Sequence, residues 1–166
     1  PTPTPTATPT PTPTVTPTPN PTPTARTNVA LASNGGVASA SSMSSSSYAP
    51  GLAIDGSRAW GYSGGWRDGT PDSYPDWLQV DFNGSKTINE INVYAVRDDF
   101  SSTAEPTETE TFSLYGITNF DVQYWNGSTW VTVPGGNITN NNRVVTKLTF
   151  APITTSRIRV VVNNAQ

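Results

Sequence analysis

"FDVQYWNGSTWVTV", residues 120–133, decides the fold class. Phe120, Val122 and Tyr124 alternate with polar partners, so one face of the run is apolar at the period of a strand. Asn126-Gly127 then supplies turn chemistry for a type I′ hairpin, and Trp130 to Val133 return along the first strand. A two-stranded ribbon with one apolar face needs a second layer to cover it.

Outward from this hairpin the same alternation recurs. "DWLQVDF" (76–82) aligns Leu78, Val80 and Phe82, and "INEINVYAV" (88–96) is rich in β-branched residues. "RVVTKLTF" (143–150) aligns Val144, Thr146, Leu148 and Phe150, and "RIRVVVNN" (157–164) turns Ile158, Val160 and Val162 inward. No segment carries a helical stripe. Short strands separated by Gly, Asn and Pro predict an antiparallel sandwich or barrel. Towards the N-terminus, "NVALAS" (28–33) reads as an opening strand, and the Ser/Ala tract 38–48 as a second strand or an irregular loop. Three Asn-X-Ser/Thr triplets, beginning at Asn83, Asn126 and Asn137, read as turns.

The first 25 residues are different in kind. Pro and Thr alternate almost without interruption, so the segment has no apolar face to bury and reads as a linker, disordered or polyproline II. At about 3.1 Å per residue it reaches roughly 70 Å when straight. Its threonines are candidate O-glycan acceptors, and the composition points to an extracellular, secreted or cell-surface protein of several domains. Residues 26–166 make one domain. Among 166 residues only 13% are charged, with a net charge of −3, and no basic patch is present to follow a phosphate backbone, which excludes nucleic acid as a partner. No apolar run reaches transmembrane length. Cysteine is absent, so neither disulfides nor thiolate metal sites are available.

The order "NVALASNGGVASASS", "APGLAIDGSRAW", "PDWLQVDF", "INEINVY", "FDVQYWNGSTWVTV", "RIRVVV" resembles a coagulation factor 5/8 type C, or discoidin-like, domain. The resemblance implies an all-β, eight-stranded antiparallel jelly-roll β-sandwich, galactose-binding-domain-like, whose loops at one end bind ligands. It also implies a closing strand after "RIRVVV" that this sequence does not contain, so the expected sandwich has an open edge. Many bacterial members of that family are carbohydrate-binding modules tethered by Thr/Pro-rich linkers. Galactose-binding relatives use a loop His, and this chain has none.

The loop "AWGYSGGWRDGT" (59–70) is the candidate sugar site. A pyranose has an apolar face and a hydroxyl rim, matched by flat aromatic rings beside polar donors. Trp60, Tyr62 and Trp66 are candidate platforms, with Arg67 and Asp68 as hydroxyl partners. The opposing reading is that these rings cap the sandwich, and Trp66 is the first candidate for an inward ring. Trp77 and Trp130 read as sheet-face packing and Trp125 as an exposed turn residue. By the resemblance, "LAIDGSR" (52–58) matches a structural Ca²⁺ loop, with Leu52, Asp55 and Ser57 as ligands and Asp68 close by. The alternative is an ordinary Asp-Gly turn.

No enzymatic activity is expected. The chain has no His or Cys, and Asp98, Asp99, Glu105, Glu108 and Glu110 read as a solvated loop with nothing to separate their pKa values. Two functions remain: a non-catalytic carbohydrate-binding module with a glycan partner, or an assembly module of a glycosylated surface fibre.

Overall fold

The computed structural model describes residues 26–58 and 64–166. The Pro/Thr linker and the two aromatic residues Trp60 and Tyr62 lie outside the described residues. Five antiparallel strands, β1 (Val37–Ala40), β2 (Asp76–Tyr94), β3 (Ile117–Trp125), β4 (Trp130–Ile138) and β5 (Val145–Ala165), form one sheet in the order β1-β2-β5-β3-β4. Three short 3-10 helices, Ala32–Asn34, Ser46–Tyr48 and Pro50–Ile54, precede β2. The predicted strand over 28–33 is therefore replaced by a turn and a 3-10 helix. The Ser/Ala tract divides between β1 and an irregular stretch. Loop-forming Asn, Ser and Gly outweigh the three apolar residues of "NVALAS".

Segments that read as separate strands run together. "DWLQVDF" and "INEINVYAV" contribute to the single strand β2, while "RVVTKLTF" and "RIRVVVNN" contribute to β5. The reason is a pair of opposed irregularities. Between the pairs Asp81–Arg157 and Lys86–Thr155, β2 inserts Phe82 to Ser85 against the single Ser156, with Gly84 at φ 74°. Between Ile88–Ile153 and Glu90–Thr149 the excess is on β5, where Phe150, Ala151 and Pro152 oppose Asn89. Bulges bend a ribbon without breaking its pairing. Asn83-Gly84-Ser85 is thus a bulge inside a strand, and Asn137-Ile138 closes β4, so neither is the turn its triplet suggested.

The bend creates the second layer. A straight strand would hold Val80 and Ile91 about 36 Å apart. Both belong to one apolar cluster with Phe82, Ile54, Phe120, Val122, Val133, Leu148 and Ile158, which draws on both halves of β2 and of β5. The result is the antiparallel jelly-roll sandwich. Phe120, Val122, Val133 and Val144 are its most enclosed side chains. Gly136 sits where an added Cβ would lie 2.7 Å from the Val122 carbonyl, so β4 approaches β3 closely there. The hairpin turn is not type I′, which needs positive φ at both central residues. Positive φ falls at Gly127 (104°) and not at Asn126. Instead the Asn126 Oδ1 accepts from the Ser128 and Thr129 N–H groups, closing a four-residue loop.

The acidic stretch is solvent-exposed at Asp99, Glu105 and Glu108, while Glu110 and Asp98 are tied into the fold. Arg97 is buried and forms a two-point pair with Glu110 (Nε–Oε1 3.1 Å, Nη2–Oε2 3.3 Å). Glu108 meets Lys147 at 2.9 Å, and Glu105 lies 3.6 Å from Arg58. Asp98 accepts from the backbone N–H groups of Ser113 and Leu114. The Leu114 N–H is the largest influence holding the Asp98 carboxyl below its ordinary value, aided by the Ser113 hydroxyl and N–H. A carboxyl depressed in the folded state adds stability above its unfolded pKa and loses it as pH falls through the folded one. Asp98→Asn should therefore flatten the acid limb of a melting-temperature profile below about pH 4. An unchanged acid limb would remove Asp98 from this role.

Candidate functional site

The cleft at the head of β2 is built by two segments, 41–48, which ends in the 3-10 helix Ser46–Tyr48, and 64–75, held together by backbone bonds. The Ser44 N–H donates to the Arg67 carbonyl at 3.0 Å and the Arg67 N–H to the Tyr48 carbonyl at 3.3 Å. The Gly69 N–H donates to Ser42 Oγ at 2.9 Å, and a Cβ at Gly69 would lie 2.7 Å from the Met43 carbonyl. Only glycine allows that approach.

Trp66 is half-buried and donates its indole N–H to the Ser42 carbonyl at 2.8 Å. Its polar edge is thereby engaged, and the ring pins one segment to the other. Arg67 is exposed. Its guanidinium lies over the Tyr48 ring at 4.3 Å, and Nε donates to Ser44 Oγ at 3.1 Å. Nη1 and Nη2 have no partner among the described residues. Asp68 accepts the Thr70 N–H on Oδ2 at 2.9 Å. Ser44, Arg67, Asp68, Gly69 and Pro71 line an open cleft of about 430 Å³. Arg67 and Asp68 are thus brought together, Trp66 is tied to Ser42 and does not line the cleft, and the 59–63 segment with Trp60 and Tyr62 joins this loop directly in sequence.

Asp76, the first residue of β2, ties the two segments together through Ser41 and Thr70. It is 4% exposed, and its Oδ1 accepts from the Ser41 hydroxyl at 2.7 Å and the Thr70 hydroxyl at 3.5 Å. Ser41 Oγ in turn accepts the Trp77 N–H. A buried carboxylate needs such partners to offset its lost hydration. The Asp76 Oδ2 has none among the described residues.

The candidate Ca²⁺ segment is a tight turn. Asp55 ends the 3-10 helix Pro50–Ile54, its Oδ1 accepts the Ser57 N–H at 2.7 Å, and Gly56 has φ 91°. Leu52 is half-buried, while Asp55 and Ser57 are exposed. Among the described residues no three acidic, His or Cys groups converge.

Trp125 is not an exposed turn residue. It is half-buried and meets Trp130 edge-to-face, with ring centroids 5.5 Å apart.

A family model for the F5/8 type C domain matches residues 37–166. The chain belongs to the F5/8 type C domain family. Solved structures similar to this F5/8 type C domain share its fold at low identity. Chitosan-binding module 1 of a Paenibacillus sp. IK-5 chitosanase/glucanase is 22% identical, with 84% of this chain and 89% of that one covered and a TM-score of 0.62. Module 2 of the same enzyme, solved with chitotriose, is 18% identical over 83% and 88%, with a TM-score of 0.63. A family 32 carbohydrate-binding module of Clostridium perfringens NanJ, solved with galactose, is 20% identical over 78% and 82%, with a TM-score of 0.52. These neighbours are binding modules rather than catalytic domains. No curated protein matches the chain. No helix among the described residues is long and apolar enough to cross a membrane.

Proposed function

We propose that this F5/8 type C domain is a non-catalytic carbohydrate-binding module of a secreted or cell-surface protein, with its sugar site at the cleft of Ser44, Arg67, Asp68 and Pro71. The observation that carries the reading is Arg67 beside Asp68 on a backbone-pinned loop. One is a donor with unengaged Nη groups and the other an acceptor, both at an open cleft. Trp60 and Tyr62 supply the stacking face, as flat apolar partners for a pyranose. Trp66 serves as the anchor. The family and the sugar-bound neighbours support this reading.

Tethering through the Pro/Thr segment to a parent protein raises the local concentration of that parent at a glycan surface, even when a single module binds weakly. The test is a glycan array on the full chain, followed by titration with the best-bound oligosaccharide. Arg67→Ala and Trp60→Ala should each weaken binding about tenfold or more. A monomeric, folded chain with no glycan signal would reject the proposal, and concentration-dependent assembly without sugar binding would favour the surface-fibre role.

A structural Ca²⁺ at Leu52, Asp55 and Ser57, with Asp68 as a further ligand, belongs to the same proposal. The turn offers one carboxylate of its own, whose Oδ1 accepts the Ser57 N–H while the Ser57 carbonyl accepts from Arg58 Nη1, so an ion there would compete with these bonds and fall in the weak class of sites at about 10⁻⁴–10⁻³ M. Bound, the ion would stiffen the loop that leads into the 59–70 segment. Calcium at about tenfold over its dissociation constant should stabilise the fold by about 1.4 kcal/mol and raise the melting temperature by roughly 3–5 °C, reversed by chelation. Absence of both a melting shift and a calorimetric signal would eliminate the ion.

A further inference from the structure

A second surface lies on the outer face of the sheet, where side chains alternate out of phase with the core. The register sets Gln79, Arg159 and Gln123 side by side across β2, β5 and β3, and Asp81 beside Arg157 one step along. Trp125 and Trp130 continue this face onto the hairpin. The four large side chains interlock: the Arg159 guanidinium lies 4.4 Å from the centre of the Trp130 ring, Arg157 lies 5.8 Å from that of Trp125, and the two indoles meet edge-to-face.

The charges on this face are unequally satisfied. Asp121 has both oxygens occupied, Oδ1 by Asn137 Nδ2 and Oδ2 by Asn163 Nδ2. Asp81 takes Gln79 Nε2 on Oδ2 and faces Arg157 with Oδ1. Neither arginine is complete. Arg157 Nε is buried and, although 3.1 Å from Asp81 Oδ1, lacks hydrogen-bond geometry. Arg159 donates Nε to Gln123 Oε1 at 2.7 Å, and among the described residues no carboxylate pairs with it. Partial burial pushes its guanidinium down from its ordinary value. Beside Trp125, a cleft of about 210 Å³ is lined by Ser85, Asn126, Gly127, Thr154, Thr155 and Ser156. That is smaller than the roughly 300–1,000 Å³ of a drug-sized pocket and suits a single small ring.

We propose that this face is a second saccharide site, specific for an acidic sugar of the uronic-acid class. The carboxylate is received by Arg157 and Arg159, and the ring sits in the cleft beside Trp125. The planar guanidinium matches a carboxylate better than it matches a hydroxyl. Arg157 is paired with Asp81 and Asp121 is held by two asparagines, so Arg159 is the cation on this face that has no carboxylate of its own among the described residues to oppose a bound anion's attraction. About 10 Å of β2 separates the Gln79–Arg159 row from the strand's head and about 17 Å the Asp81–Arg157 row, and neither arginine lines the first cleft, so the two sites are distinct and one failing leaves the other standing.

Trigalacturonate and its fully methyl-esterified form are the probes, used with the ¹⁵N-labelled full chain. Trigalacturonate should shift the indole N–H signals of Trp125 and Trp130 and bind less tightly as salt rises, while the ester should leave them in place. Arg159→Gln should weaken binding about tenfold or more, and Arg67→Ala should not. Equal binding of acid and ester, no movement of either indole signal, or loss with Arg67→Ala but not with Arg159→Gln would overturn the proposal. If Arg159→Gln fails to fold, the indole shifts of the unaltered protein decide the matter alone.

Discussion

Phe120→Ala should lower the unfolding free energy by about 3–5 kcal/mol. The side chain is 1% exposed and sits among Val80, Phe82, Val122, Val133 and Ile158 in the cluster that joins the two layers. Removing a ring there loses its transfer free energy and leaves a cavity that a bent, doubly paired ribbon cannot collapse to fill. Domains of this size are stable by only about 5–15 kcal/mol in total, so the variant should unfold at a far lower denaturant midpoint. Phe120→Leu should cost much less. A loss under about 1 kcal/mol for the alanine variant would mean that the core is not where the cluster places it.

Gly116→Ala should come next, at about 2–5 kcal/mol. Gly116 has φ 108°, a conformation that side chains rarely adopt. An added Cβ would also lie 2.7 Å from Phe112, itself 5% exposed in the second apolar cluster with Ala95, Val144 and Val145. Strain and overpacking therefore act together, whereas at Gly127 only the φ of 104° matters because nothing lies within 4 Å of the new carbon. The comparison isolates the packing contribution. Equal losses at the two glycines, measured by chemical denaturation, would show that the Phe112 ring yields freely.

The faces of the strands were legible in the sequence because alternation is a local signal. Val80, Phe82, Phe120, Val122, Ile158 and Val162 all face the core as their spacing predicts. The count of strands was not legible. Whether Asn83-Gly84-Ser85 ends a strand or bulges within it depends on what β5 places opposite, and no local pattern carries that. The same limit explains the hairpin. Asn126-Gly127 marks the turn, but its type is decided by the Asn126 carboxamide capturing two later N–H groups.

At the cleft, Arg67, Asp68 and Trp66 stand out in sequence as a polar and aromatic cluster between glycines. The supporting partners do not. Ser42 and Ser44 belong to a low-complexity serine tract, and they contribute through one carbonyl and two hydroxyl contacts that no sequence pattern singles out. Asp76 reads as an ordinary strand start until burial and its Ser41 bond are seen. The alliance of Trp125, Trp130, Arg157 and Arg159 arises only from cross-strand register.

A crystal structure of the full chain with the oligosaccharide best bound on a glycan array is the most direct measurement of the central claim. The sugar should lie in the cleft of Ser44, Arg67, Asp68 and Pro71, with the Arg67 Nη groups and the Asp68 carboxylate within hydrogen-bond distance of its hydroxyls. A neutral sugar bound elsewhere on the sandwich, with that cleft left to solvent, would contradict it.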